Sequence, residues 1–498
     1  MTAIHAGAPS TYAKNWRQVN WRTVEAYVYR MQIRIAESVR EKRWGKAQAL
    51  QHLLARSFYG RLWAVKRITA NKGSRTPGID GVTWNSPGKR WKAALNLNVR
   101  GYRTQPLRRI YIPKKNGKKR PLGIPTLHDR AMQELFALGL RPIAETVGDK
   151  NSYGFRERRS LHDAIKMTFI CLAQKVSAQW ILEADIKACF DRISHDWLLE
   201  NIPLPKGILR QWLKAGYMES STLYPTEEGT PQGGIISPIL CTMTLDGLEA
   251  LVINGRNKKQ GKLNTIRYAD DFIITGASPE ILLNEVKPEV ERFLAERWLT
   301  LSEEKTKLSH IDNGFNFLGF NVRKFNQKLL IRPEDGKVQS LIEKVRVFLD
   351  QHRGIAFHVM LLKLNSIVRG WAYAYRHSVA KSRMYYADNR IYLLIRKWLQ
   401  RECRSRTWAW IAKKCQKRIK GRVVFYARYM SAKGEIRTVQ RFLAVDLPIR
   451  YHTKVQGDAT PYDPKYAEYF ANRKKSRKMA ALRDKRRMNL SSFQKLTA

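Results

Sequence analysis

Acidic side chains are scarce in this 498-residue chain: 42 Asp and Glu stand against 92 Lys and Arg, a formal net charge of +50. Self-repulsion on this scale opposes compaction, and a polyanionic partner relieves it. Nucleic acid fits that role, because Lys and Arg that neutralise phosphates release condensed counterions. An acidic membrane surface is the rival, but the chain has no apolar run of 18 or more residues and no lipidation motif. Nor does the start, MTAIHAGAPSTYAKNWRQVNW, show the charged-then-apolar pattern of a secretory signal, so a cytosolic or organellar protein is expected, with no membrane partner. Cysteine is sparse too. Cys171, Cys189, Cys241, Cys403 and Cys415 are scattered without a C-x-x-C pair, which argues against a disulfide framework and a zinc site. There is no repeat at solenoid-like periods. Apolar content is an ordinary 44%, enough for a sizeable core, and the length suggests about three domains.

What is present divides into two textures. Trp21 to about Ala70 reads as helices, with apolar residues three and four apart between Arg and Glu. TPGIDGVTW (76–84) is a Gly/Pro break that reads as an ordered loop. LRRIYIPKKNGKKRPLGIP (107–125) reads as a hairpin around Asn116–Gly117, the strongest two-residue turn signal. A helix follows from TLHDRAMQELFALGL. QWILEADIKACF (179–190) is a short apolar strand ending in charge, and RYADDFIITG (267–276) is strand, tight turn, strand. PEILLNEVKPEVERFLAER then reads as an amphipathic helix. After RPEDGK (332–337) apolar residues recur at helical spacing, and MLLKLNSIVRGWAYAYRHS, ADNRIYLLIRKWLQRE and TWAWIAKKCQKRIKG all read as helices. Past about residue 425 the pattern weakens into a tail dominated by Lys and Arg, which is either disordered or a polyanion-binding arm.

Asp270 and Asp271 are adjacent carboxylates in a basic chain. They either fill a turn, where Asp is locally favoured, or hold metal ions for chemistry on phosphates. Phosphoryl or nucleotidyl transfer is well served by two divalent ions about 3.5–4 Å apart. Such ions need hard oxygen ligands from more than one backbone segment. Asp185, at the end of the run Trp180–Ile181–Leu182, supplies a second segment. A strand-end Asp beside a hairpin-tip pair would build a three-carboxylate cup.

The order of pieces is specific: GIDG, IPKKNGKKRPLGIP, ADIKACFD, TPQGGIISP, YADD, FLGF, and then RGWAYAYR (369–376). In this order the chain resembles a group II intron-encoded reverse transcriptase, or maturase, from about Thr76 to about residue 425. The resemblance implies an α+β right-hand polymerase: fingers, a palm with an antiparallel sheet, a helical thumb, and a basic C-terminal DNA-binding region. The expected divisions are 1–75 (N-terminal helical, RNA-binding extension), 76–332 (fingers and palm), 333–425 (thumb, or maturase domain X) and 426–498 (DNA-binding). It implies two Mg²⁺ ions held by Asp185 and Asp270, with the Ile186 carbonyl and Asp271 assisting. Phe190 would be the aromatic gate against the ribose 2′-hydroxyl; from spacing alone it could equally be a core aromatic. Lys114 and Arg120 would hold the dNTP triphosphate, although a solvated hairpin face is the plain alternative. Gln232 would lie near nucleotide or primer, where Gly233 and Gly234 permit close backbone approach. Lys305 would protonate the pyrophosphate.

For the thumb the resemblance implies RNA contacts by Arg369, Trp371, Tyr373, Tyr375 and Arg376, a mixture of cations and aromatic faces suited to RNA. Trp371 and Tyr375, four apart on one helix, could instead be core. Arg473, Lys474, Lys475, Arg477, Lys478, Lys485, Arg486 and Arg487 would contact DNA. The expected partners are group II intron RNA in a ribonucleoprotein, target DNA and primer, and dNTPs, with monomer and homodimer both open. The expected activity is copying of intron RNA into DNA during retrohoming, together with promotion of splicing. The paired C-x-x-C ligands of the His-Asn-His nuclease found in many relatives are not in the sequence, so no nuclease domain is expected in it. Two other readings stand beside this one: an RNA-binding splicing cofactor with an idle polymerase, and a reverse transcriptase of a defence or diversity-generating system.

Overall fold

A computed structural model describes residues 15–493 except 114–116, 118, 220–221, 232, 420 and 433; the side chains of 485–493 are also outside the description. The chain forms two compact units, 1–167 with 180–308 and 455–472, and 168–179 with 309–454 and 473–498.

The first unit opens on α1 (Trp21–Arg40), α2 (Trp44–Arg56), α3 (Phe58–Thr69) and α4 (Pro87–Asn96). Asn20 caps α1 by accepting from Arg22 and Thr23, and Ser57 caps α3. The first three of these helices pack around α5 (Leu127–Val147), and α4 packs on α3; α5 is buried along almost its whole length, Asp129, Arg130, Gln133, Glu134 and Glu145 included. A helix buried on all sides must satisfy such groups internally. It does so by pinning loops. Arg130 donates to the Gly73 and Thr76 carbonyls at 2.9 and 2.6 Å, and Asp129 accepts from Tyr102 at 2.6 Å. Gln133 accepts the Ile235 amide at 2.8 Å.

β1 (Leu107–Pro113) and β2 (Lys119–Ile124) form the expected hairpin, with Ile112 opposite Arg120. β3 (Trp180–Asp185) follows. β4 (Tyr217–Glu219) and β5 (Thr222–Tyr224) extend the first hairpin into a four-stranded sheet of order β2-β1-β4-β5. β6 (Asn264–Tyr268) and β7 (Asp271–Gly276) pair antiparallel, and β3 pairs antiparallel with β7. The helix expected over 279–297 is divided: Ile281–Val286 is a π-helical turn and Lys287–Ala295 an α-helix. Pro288, which has no N–H to donate, stands at the junction. β8 (Lys307–His310) is the strand on which the first unit gives way to the second along the chain.

The second unit carries β9 (Phe315–Phe317), β10 (Phe320–Phe325) and β11 (Lys328–Pro333) as one antiparallel sheet. Three long helices follow, Asp335–Gln351, Phe357–Tyr375 and Lys381–Glu402. The helical texture thus starts near residue 333 as read, whereas the compact units divide at 308/309. The segment TWAWIAKKCQKRIKG is helical only to Cys415. It continues as β12 (Gln416–Ile419), which pairs with β13 (Arg422–Met430), and β13 pairs with β14 (Ile436–Gln440). Val424, Phe425 and Val439 are buried, so sheet packing outweighs the helical spacing of the basic residues.

Residues 455–472 return to the first unit, where Val455 donates to Asp163 at 2.7 Å and the Tyr462 hydroxyl to Glu157 at 3.0 Å. The last element among the described residues is a helix, Ala467–Phe493. No helix among the described residues is long and apolar enough to cross a membrane.

Candidate active site

In the ladder of β3 and β7, Asp185 stands directly opposite Asp271. Directly opposed residues lie about 4.5–5.5 Å apart at Cα and point to the same face. Asp270 occupies the two-residue connection between Tyr268 and Asp271. The other connecting residue, Ala269, has φ +59°, a region where glycine is the usual occupant. Three carboxylates from two backbone segments therefore meet at one end of the sheet.

Burial first, and then the neighbouring carboxylates, raise the pKa of Asp270 and Asp271. Burial raises the Asp270 carboxyl above its ordinary range; the charge of Asp185 adds to this, while Arg120 and Lys305 oppose it. Asp271 is pushed up to about 7, by burial first, then by its hydrogen bond with Asp185 and the charges of Asp270 and Asp185. Asp271 as a whole reaches solvent, so water screens part of this shift. The countercharge comes from Lys305, whose Nζ lies 2.7 Å from Asp185 Oδ2. That contact raises the Lys305 pKa. Lys305 stands on a turn in which its amide and that of Thr306 both donate to Ser302, at 3.2 and 2.8 Å.

A stability effect follows. A carboxyl with a raised folded pKa costs nothing while both folded and unfolded states are protonated. The unfolded chain ionises first, near pH 4 in an ordinary Asp, so stability falls as pH rises to about 7 and is flat beyond. Thermal melts in a chelator should show this decline; Asp271→Asn should flatten it, and an unchanged slope would contradict it.

Ile186 forms an antiparallel bridge with Leu301. The flanking bonds run from Lys187 N–H to Thr300 and from Ser302 N–H to Asp185, at 2.9 and 2.8 Å, so neither of them uses the Ile186 carbonyl. Phe190 lies on the short helix Cys189–Arg192, half-buried, and its carbonyl accepts from the Thr230 amide at 2.5 Å. That bond ties it to the glycine loop, where Gly233 has φ +118° and a Cβ would meet the Gly123 carbonyl oxygen at 2.7 Å. Lys114 and Gln232 lie outside the described residues.

Do these residues suit divalent cations? The donors are hard carboxylate oxygens under mutual repulsion, which is the right chemistry. Among the described residues, however, no three His, Cys, Asp or Glu side chains are gathered into a metal-ligand set. The cup is assembled by the sheet register but is not closed into a cage, and Lys305 supplies the positive charge.

The segment 149–159, which the sequence reading passed over, braces this end of the sheet. Ser152 bridges Arg267 in parallel, Tyr153 donates to the Arg267 carbonyl at 2.9 Å, and Arg267 donates to Asn151 at 3.0 Å. Arg267 is itself buried and paired with Asp246 at 2.5 Å. Burial lifts the Asp246 carboxyl to about 6. Gly154 lies against the hairpin so closely that a Cβ would stand 2.2 Å from the Ala269 amide nitrogen.

In the second unit, Arg369 is exposed and stacks over Phe442 at 5.3 Å, while Trp371 and Tyr373 are half-buried. Expected to face RNA, Tyr375 and Arg376 instead lie inside the unit. Tyr375 packs on Phe320 and Trp371 at 5.0 and 5.1 Å, and Arg376 pairs with buried Asp484 at 2.5 Å. The reason is that a guanidinium excluded from water needs a carboxylate partner, and Asp484 provides it from 108 residues away. Lys474, Lys475, Arg477 and Lys478 are exposed on the terminal helix; Arg473 is half-buried and donates to the Thr453 carbonyl at 2.7 Å. The side chains of Lys485, Arg486 and Arg487 lie outside the description.

Residues 112–322 match the family described as reverse transcriptase (RNA-dependent DNA polymerase), 16–97 the N-terminal domain of reverse transcriptase, and 338–416 the group II intron maturase-specific domain. Protein YkfC of Escherichia coli (strain K12) is 32% identical over 300 residues, covering 51% of this chain and 77% of that protein. The group II intron-encoded protein LtrA of Lactococcus lactis subsp. cremoris is 32% identical over 363 residues, covering 57% of this chain and 60% of LtrA. The structure of telomerase from Candida albicans aligns at a TM-score of 0.34 with 14% identity, over 63% of this chain and 64% of that one. The chain belongs to the group II intron-encoded reverse transcriptases and maturases, α+β right-hand proteins of the RNA-directed DNA polymerase class, a class that works with divalent metal ions.

Proposed function

We propose that the chain copies group II intron RNA into DNA during retrohoming, and that it also binds that RNA as a maturase to promote splicing. The observation that carries the reading is the opposition of Asp185 and Asp271 across β3 and β7, with Asp270 beside them and Lys305 on Asp185. Asp185, Asp270 and Asp271, with the Ile186 carbonyl, would hold two Mg²⁺ ions. When bound, such ions supply Lewis-acid polarisation of the reacting phosphate and activation of the primer hydroxyl.

The protein's own groups do the rest. Arg120, whose charge already acts on Asp270, would steady the triphosphate, with Lys114 beside it. Lys305 keeps its proton, held by the carboxylates, and would deliver it from Nζ to the departing pyrophosphate. Phe190 would close off the space a ribose 2′-hydroxyl needs, while Gln232 and the glycine loop would hold nucleotide or primer.

Intron RNA is assigned to the N-terminal helices and to the exposed side of the thumb, Arg369 above all, with Trp371 and Tyr373 adding aromatic surface. DNA is assigned to the exposed cations Lys474 to Lys478. The N-terminal extension at 1–75, fingers and palm at 76–332, thumb at 333–425 and DNA-binding region at 426–498 are the corresponding division of labour. The bacterial relatives suit a bacterial cytoplasm, with an organelle as the alternative.

Primer extension on an RNA template with Mg²⁺ and dNTPs tests the reading. Incorporation is expected; tight intron-RNA binding with no incorporation would leave the idle-polymerase reading in its place. With a net charge of +50, binding should also be steeply salt-dependent. Affinity should fall by about 10³-fold or more between roughly 50 and 200 mM salt, and a flat response would contradict an electrostatic interface.

A further inference from the structure

Three of the ten non-glycine residues with positive φ among the described residues lie on or against the carboxylate-bearing segments: Phe155, Ala188 and Ala269. Backbone strain concentrated at one place points to function. Phe155 is the least expected of the three. A bulky side chain at φ +57° is disfavoured, and this one is also 53% exposed, so packing does not explain why the strain is kept. Its ring meets Phe190 edge-to-face, centroids 6.0 Å apart and planes at 81°.

The backbone that carries each ring is anchored. Phe155 follows Gly154, which abuts Ala269, and precedes Arg156, whose buried guanidinium pairs with Glu145 at 3.0 Å and donates to the Asp149 carbonyl. Phe190 follows Asp185 by five residues and is tied by its carbonyl to Thr230. One ring is therefore carried by the segment of Asp185, the other by the segment that abuts the Asp270–Asp271 hairpin.

We propose that Phe155 is a positioning residue for sugar selectivity. Its ring edge fixes the Phe190 ring in the orientation that excludes a 2′-hydroxyl from the incoming nucleotide. Rotation of an unsupported Phe190 would open that space. The inference rests on the polymerase reading above and deepens it.

The experiment compares kcat/KM for dGTP and GTP in RNA-templated extension by the full chain. Phe155→Gly removes the ring and suits the positive φ, so the fold should hold, which a thermal melt checks. The dGTP/GTP preference should drop by about tenfold or more, chiefly through faster GTP use. Phe155→Tyr, which keeps the ring edge, should restore it. In a Phe190→Ala background, Phe155→Gly should add little, because the effect passes through Phe190. An unchanged preference in a folded Phe155→Gly that still uses dGTP overturns this inference alone. Failure of the wild-type chain to incorporate dGTP overturns it together with the polymerase reading.

Discussion

Asp270→Asn should abolish DNA synthesis while leaving the protein as stable as before or slightly more so. Asp270 is a half-buried turn residue whose carboxyl is opposed by Asp185 and whose burial is unfavourable to its charge. Removing one negative charge relieves that crowding, so nothing in the fold should suffer. Catalysis should lose the ligand that the hairpin tip contributes. Loss of about 4 kcal/mol of transition-state stabilisation is about 10³-fold in rate. Intron-RNA affinity, carried by other surfaces, should stay within about twofold. Rate and melting temperature moving in opposite directions is the signature of a charge kept for function against stability. A parallel fall in both, or in RNA binding, would mean that Asp270 holds the fold instead.

Gly154→Ala should be nearly as damaging, although Gly154 touches no substrate in this account. Its added Cβ would stand 2.2 Å from the Ala269 nitrogen and 2.9 Å from the Ala269 Cα and the Tyr268 carbonyl carbon. These are backbone atoms, so no flexible side chain can yield. The bracing segment is held by Tyr153 and Asn151 on Arg267 and by buried Arg156, so the strain should pass to the hairpin that carries Asp270. Overpacking of this kind costs about 1–3 kcal/mol in stability. A misplacement near 1 Å at the reacting centre costs about 10²-fold in rate. The steady-state rate and the melting temperature of the variant measure both. A wild-type rate would show that the segment does not set the hairpin's position.

The legible part of this site was the part written in local pattern. A strand ending in Asp185 and a hairpin bearing Asp270 and Asp271 follow from apolar runs and turn chemistry, and the ladder then places them opposite one another. Phe155 was not legible. Left-handed backbone is expected at Gly or Asn, yet here the positive φ falls on the phenylalanine and not on Gly154 before it. For Tyr375 the core alternative is the one the fold takes, whereas the burial of Arg376 has no local signal, because the carboxylate that draws it inward is Asp484. β12 to β14 escaped because interspersed Lys and Arg mimic a helical face while Phe425 and Val439 decide for a sheet. The return of 455–472 to the first unit depends on partners such as Asp163 and Glu157, hundreds of residues away, and has no local signature.

Anomalous scattering from crystals grown with Mn²⁺, primer–template and a non-hydrolysable dNTP bears most directly on the carboxylate cluster. The geometry predicts metal peaks about 2–2.5 Å from carboxylate oxygens of both Asp185 and Asp270. Peaks elsewhere, or a complex in which Asp185 stays paired with Lys305 and no metal binds between the strands, would contradict it.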